Sequence, residues 1–295
     1  MARAAGPPPD RAADLRLAGP GAGLYNLVRA EQLRGYLHRR TTSDTGRLAI
    51  VNWLHQVRRL TQDVIELVWP GICLWCQTPL EAYADERFCS GCRKDLENDS
   101  AVVCPRCAST VGPYVVDADG CPHCRGRRLY LDGAIRLGEY TGLLRAAILE
   151  IKQARGELLA RALGRLLGHR CRARLETLPD RIVPVPLHWL RHWQRGYNQA
   201  EAIAMGLSEV LGTRLGHWLR RRRHTAPQTH LTRQKRLRNV VQAFAGYRRC
   251  IAPGAHVLLV DDVCTTGATA SEAARALKRA GASRVVLAVL AHARD

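Results

Sequence analysis

Residues 257 to 277 read VLLVDDVCTTGATASEAARAL: four apolar residues, two adjacent acids, a short Thr/Gly/Ala stretch, then helix-forming sequence. The apolar run predicts a buried strand, HVLLVDD, and the Ala-rich segment a helix from about Thr269 to Ala280 stopped by Gly281. Between them lies a loop, Val263 to Thr269. Gly267 lets the backbone turn tightly, so the amides of residues 265 to 269 can point inward, and the following helix adds its N-terminal partial positive charge. Thr265, Thr266 and Thr269 contribute hydroxyl donors, which with Gly267 and Ala268 make the loop a phosphate cradle. Asp261 and Asp262 accept hydrogen bonds and suit vicinal hydroxyls, with or without a magnesium ion. Phosphate on one side and a diol on the other describe ribose 5-phosphate. A Walker loop is excluded, since no GK[ST] follows.

The rest of the C-terminal half alternates strand and helix. GAIRLGEY alternates in strand fashion, and LLRAAILEIKQARGELLARALGRLLGHRCRARL reads as two amphipathic helices broken near Gly156. RIVPVPL is a short β-branched run whose prolines suit an edge strand. NQAEAIAMGLSEVLG is a helix, GHWLRRRR a further strand candidate, and RVVLAVL a final strand. This order predicts an α/β fold with a parallel sheet that binds ligands beyond the carboxyl ends of its strands.

Eight of the 11 cysteines form four CxxC pairs: Cys73/Cys76, Cys89/Cys92, Cys104/Cys107 and Cys121/Cys124. Two intervening residues let a tight knuckle aim both thiolates at one tetrahedral metal, and two knuckles close a structural zinc site. Eight sulfurs make two sites, so two structural zinc ions are expected. Sequential pairing gives two successive ribbons, and an interleaved arrangement has the same spacing. His123, inside CPHC, is expected to face solvent. Cys171, Cys250 and Cys264 stand alone and read as small buried or half-buried apolar residues.

The formal net charge of +19 is uneven: the cysteine-rich middle is near neutral, and the excess lies from residue 131 onward. Such a field attracts phosphorylated metabolites or nucleic acid. Nearly all the basic residues are Arg, which reflects base composition of the gene as much as a partner. Residues 1 to about 22, rich in Pro, Gly, Ala and Arg, are expected to be disordered. VNWLHQVRRLTQDVIELVW, by contrast, has a helical apolar face. No stretch has the length of a secretory signal or a membrane span, so a cytoplasmic location is expected. The organisation expected is an N-terminal extension over 1–69, a double zinc ribbon over 70–128 and an α/β domain over 129–295.

VLLVDDVCTTGAT resembles the phosphoribosyl-pyrophosphate signature of type I phosphoribosyltransferases. The order of cysteine pairs, GEYTGLLRAAILEIK, PVPLHWLRHWQRGYNQAEAIA, TAPQTHLTRQKRLRNVVQAF and DDVCTTGAT is similar to the ComF family, also called ComFC or GntX-like, over residues 70 to 293. The resemblance implies a double zinc ribbon on a type I phosphoribosyltransferase-like domain and an association with DNA uptake during natural transformation. It implies that Asp261 and Asp262 hold ribose hydroxyls and that Thr265, Thr266, Gly267, Ala268 and Thr269 hold the 5-phosphate. It further implies that the turn around Leu187 and His188 lies where such enzymes bind pyrophosphate. Arg195, Asn198 and Gln199 of RGYNQ, and Arg236 of the RxxN pattern, match family motifs, and the resemblance implies that they contact phosphate oxygens. Thr225, Gln228 and Asn239 complete that pattern in the region of a mobile lid, and Lys152 matches a further family position. Cys264 stands where an aliphatic residue is usual.

If the chain is an enzyme, the reaction is displacement of magnesium-bound pyrophosphate from ribose C1 by a nitrogen nucleophile, with no covalent intermediate on the protein. The acceptor cannot be named from these residues; a purine or pyrimidine of nucleobase salvage is one alternative. The other is a non-catalytic factor that uses the same pocket for a nucleotide or DNA end, with the ribbons and basic face holding single-stranded DNA or a DNA-uptake helicase. Trp189, Trp193 and Trp218 then offer stacking surfaces.

Overall fold

The computed structural model describes residues 71–80, 87–112, 120–187, 196–222 and 242–293, all within one unit spanning Ile65–Asp295. The N-terminal extension, His188, Arg195, Arg236, Thr225, Gln228, Asn239, Trp189 and Trp193 lie outside the described residues.

In chain order the elements begin with helix α1 (Ser90–Leu96) and the two-residue strands β1 (Val102–Val103) and β2 (Thr110–Val111) of the cysteine-rich segment. Strand β3 (Gly133–Glu139), helix α2 (Gly142–Glu150), helix α3 (Glu157–Arg174), strand β4 (Arg181–Pro184) and helix α4 (Gln199–Leu211) follow. A small antiparallel pair, β5 (Leu219–Arg221) and β6 (Phe244–Gly246), precedes strand β7 (His256–Cys264), helix α5 (Ala268–Ala280) and strand β8 (Arg284–His292). The main sheet is parallel throughout, ordered β3-β8-β7-β4.

The two central strands carry apolar residues on both faces, as a covered parallel sheet requires. Leu258 and Val260 of β7, with Val286, Ala288 and Leu290 of β8, pack against Leu163 of α3 and Ile203 and Leu207 of α4. Val257 and Leu259, with Val285, Leu287 and Val289, face the other way onto Ala273, Ala274 and Leu277 of α5. Helices therefore flank the sheet on both sides. RIVPVPL does form an edge strand, with Leu215 bridging to Ile182 on its outer side.

Strand β7 extends further than the apolar pattern suggests. Val263 and Cys264 still pair with Ala291 and His292, so the two acids sit inside the last part of the strand rather than at its end. The neighbouring β8 is long enough to keep the ladder going, and the helix after the loop starts at Ala268, one residue early.

The cysteine-rich segment covers the outer edge of β3. The Ala134 amide donates to the Pro105 carbonyl at 2.7 Å, and Gly138 lies so close to the Leu96 and Asn98 carbonyls that an added Cβ would come within 3.1 Å of each. Covering the edge removes a free row of backbone donors and acceptors. Among the described residues no helix is long and apolar enough to cross a membrane.

Candidate phosphoribosyl site and metal clusters

Two tetrads of cysteine form, and the pairing is sequential: Cys73, Cys76, Cys89 and Cys92 in one, Cys104, Cys107, Cys121 and Cys124 in the other. Within the second, the Sγ–Sγ separations include 3.8 Å for Cys104–Cys124, 3.6 Å for Cys107–Cys121 and 3.8 Å for Cys121–Cys124. In the first, Cys76 and Cys89 are 3.5 Å apart. Tetrahedral zinc with bonds of about 2.3 Å places its sulfurs about 3.7 Å apart, so both tetrads fit a structural ion. The second tetrad is buried throughout, whereas Cys76 leaves the first open to solvent. Of the lone cysteines, Cys171 and Cys264 are buried and Cys250 is exposed, contrary to the apolar reading of that residue. Burial pushes the Cys264 thiol up to about 12, which disfavours its thiolate.

The loop after β7 is built by a reversal at Gly267, the N-cap of α5, whose φ of 72° lies in the left-handed region that favours glycine. Thr266 is buried, its Oγ1 accepting from the Ala268 amide at 3.4 Å, and Thr265, Gly267 and Thr269 are half-buried around it. Asp261 and Asp262 lie immediately upstream. The Asp262 amide donates to Asp261 Oδ1 at 2.9 Å, and the Val263 amide to Asp262 Oδ1 at 2.7 Å. Burial, then the neighbouring Asp262 charge, pushes the Asp261 carboxyl up to about 8. Lys152, just past α2, brings its Nζ within 3.4 Å of Asp262 Oδ2. A helix-end lysine gave only a weak signal in the sequence, and the structure makes it the cation of the acid pair.

Asn198 and Gln199 open α4 beside the turn after β4. The Asn198 side chain is committed locally: Oδ1 caps the helix by accepting from the Ala200 amide at 3.2 Å, and Nδ2 donates to the Val185 carbonyl at 3.2 Å. It holds the Pro186–Leu187 turn to α4 instead of projecting into open space. Gln199 is buried, and its Nε2 finds no hydrogen-bond partner among the described residues. Asn198, Leu187, Pro184 and Pro186 share a cavity of about 200 Å³ with Glu201, His217 and Leu219.

A second cavity, of about 190 Å³, lies between the buried cysteine tetrad and the loop after β7. Ser109, Thr110, His123 and Arg127 form one wall and Thr265, Thr266 and Gly267 the other, with His292 at the end of β8 between them. His123, exposed as expected, stands at this cleft. Arg127, Ser109 and His292 carry no motif; Arg127 is one of several arginines after CPHC, and only the folded chain distinguishes it.

The Phosphoribosyl transferase domain model matches residues 198–295, from the Asn198 cap through β8. Over 226 residues the chain is 36% identical to DNA utilization protein YhgH of Salmonella typhi, an alignment covering 74% of this chain and 96% of that protein. It is 33% identical to Competence protein F of Haemophilus influenzae over 227 residues, covering 75% and 96%. The chain belongs to the ComF family. A more distant ComF relative, Competence protein ComFC of Bacillus subtilis, is 26% identical over 206 residues, covering 67% of this chain and 80% of that protein. The ComF architecture here is thus a phosphoribosyltransferase domain preceded by a pair of cysteine tetrads that fit a double zinc ribbon.

Proposed function

We propose that the protein binds phosphoribosyl pyrophosphate, or a related phosphoribosyl group of a nucleotide, at the carboxyl edge of the parallel sheet, and that it serves DNA uptake or utilisation in the cytoplasm. The observation that carries the reading is the arrangement of Asp261, Asp262 and Lys152 beside the Gly267 reversal into α5. The carboxyl groups of Asp261 and Asp262 take the ribose hydroxyls, and the 265–269 amides with the Thr265, Thr266 and Thr269 hydroxyls take the 5-phosphate. A phosphate oxygen near α4 would satisfy the buried Gln199 amide, which otherwise lacks an acceptor among the described residues.

In the transferase version of this reading, the chain's own residues hold the ribose and 5-phosphate and keep C1 oriented toward an incoming nitrogen. Lys152 pairs with Asp262, which accepts a hydrogen bond from a ribose hydroxyl, and His188, Arg195 and Arg236, which lie outside the described residues, are the pyrophosphate-contacting residues this reading expects. The hard oxygens of pyrophosphate fit magnesium, which neutralises the leaving group when bound. Zinc in the two cysteine tetrads is structural. The domain organisation this reading expects is an N-terminal extension over 1–69, the ribbons over 70–128 and the phosphoribosyltransferase-like domain over 129–295.

The names of the relatives favour the DNA reading over nucleobase salvage: they are a DNA utilization protein and competence proteins. Single-stranded DNA and a DNA-uptake helicase are the partners this reading expects. Calorimetric titration of phosphoribosyl pyrophosphate with magnesium, and separately of single-stranded DNA, into wild type, Asp262→Asn and Thr266→Val tests it. Loss of the first ligand in both variants is expected. If neither ligand responds to either substitution, the site is wrongly assigned. Release of pyrophosphate with an added nucleobase would move the reading to a transferase of salvage.

A further inference from the structure

The buried cysteine tetrad and the phosphate loop are distant in sequence, yet two hydrogen-bonded links join them. The first is Arg127. Its Nη2 donates to the Thr266 carbonyl at 2.8 Å, and its Nη1 to the carbonyl of His123, inside the Cys121/Cys124 knuckle, at 3.1 Å. The Arg127 carbonyl in turn accepts from Arg106, inside the Cys104/Cys107 knuckle, at 3.2 Å. The second link runs through Ser109, whose Oγ is 3.2 Å from Cys107 Sγ and 3.0 Å from His292 Nε2. His292 pairs in the sheet with Cys264, the last residue before the loop. The two knuckles of a tetrad are held in one fixed arrangement when their four sulfurs share one ion.

We propose that Arg127 is a positioning residue that fastens the phosphate loop to the buried cysteine tetrad, so that metal in this tetrad sets how tightly the loop holds a phosphoribosyl group. This rests on the reading of the loop as a phosphate cradle. The mechanism is geometric. A guanidinium fork supplies two fixed donors to two carbonyls at once, here those of Thr266 in the loop and His123 in the knuckle. An ammonium at the same position keeps the charge and loses the fork. The exposed Cys76 tetrad has no such connection to the loop among the described residues.

The test uses the full zinc-loaded chain with Arg127→Ala and Arg127→Lys. Both variants are expected to retain wild-type zinc content. Both are expected to bind phosphoribosyl pyrophosphate with magnesium roughly tenfold more weakly, since a charge-assisted bridge is lost in each. Amide hydrogen exchange read over residues 264–270 should be faster in both, without any ligand. Wild-type affinity in Arg127→Lys would mean that only the positive field matters, and would overturn the clamp. Unchanged exchange of the loop in Arg127→Ala would overturn it as well. If wild type itself fails to bind the probe, the functional reading falls, and the exchange comparison alone decides whether tetrad and loop are coupled.

Discussion

Arg136 and Asp99 meet in the buried seam between β3 and the segment after α1, with Arg136 Nη2 2.6 Å from Asp99 Oδ1 and Nε 3.0 Å from Oδ2. Both side chains are 1% exposed, and Arg136 Nη1 also donates to the Ala108 carbonyl and Thr110 Oγ1. One arginine therefore joins the edge strand of the sheet to both sides of the Cys104/Cys107 knuckle. Because a buried ion left without its partner is costly, Asp99→Ala should destabilise the fold by about 3–5 kcal/mol. Arg136→Met combined with Asp99→Leu should recover a large part of that loss, since neither charge is then stranded. Urea unfolding of the single and double variants reads both numbers, and a double variant no better than Asp99→Ala would contradict the pairing.

Helices α3 and α4 cross where glycine faces glycine. A Cβ on Gly206 would collide with the Arg161 carbonyl oxygen and lie 2.7 Å from the Arg165 amide nitrogen, while one on Gly164 would collide with the Ile203 carbonyl oxygen. These neighbours are backbone and cannot rotate away. Gly206→Ala should therefore cost about 2–3 kcal/mol in thermal or urea unfolding, against about 0.5 kcal/mol or less for Met205→Ala on the solvent side of the same helix. Since α4 begins at the Asn198 cap that holds the Val185 carbonyl, the turn after β4 should shift with it.

The strand–loop–helix order around Gly267 was legible because a single contiguous segment carries the strand pattern, both acids and the glycine, and the CxxC spacing was legible because each knuckle is local. What the sequence could not reveal was long-range. Sequential and interleaved ribbons share one spacing, and only folding brings Cys104 to Cys124 rather than to the first tetrad. Arg136 is a charge inside the strand GAIRLGE whose partner lies 37 residues earlier in a polar turn. The end of β7 depended on the length of β8, which no property of β7 encodes. Asn198 carried a motif, and its side chain proved to be committed to a helix cap and a turn.

The two cysteine tetrads should respond differently to ligand loss. Cys76→Ser and Cys104→Ser are each expected to lower bound zinc by about one ion per chain, from about two. Cys76 lies at the exposed tetrad, whereas Cys104 belongs to the buried one, so only Cys104→Ser should also loosen the loop after β7. Chelation of both ions should expose residues 71–112 and 120–130 to protease before the sheet. Metal analysis with limited proteolysis checks this, and fewer than about one zinc per wild-type chain would end the ribbon assignment.

The acid pair predicts a pH dependence whose sign follows from Asp261. Its carboxyl, ordinarily at 3.8, is pushed up to about 8 by burial first and the Asp262 charge second, with Lys152 opposing. A carboxyl raised in the folded state costs nothing below 3.8, where it is protonated folded or unfolded. Its burden on the fold grows as pH rises from there toward about 8 and is complete above it. Asp261→Asn removes that burden, so the melting temperature of the ligand-free variant should exceed that of wild type by a margin that widens between pH 5 and pH 8. Lys152→Met should act in the opposite direction, because it takes away the cation 3.4 Å from Asp262 and leaves two acids facing each other. Thermal melts of the three proteins across that range decide it: a margin independent of pH would mean that Asp261 is ionised as readily in the fold as in the unfolded chain.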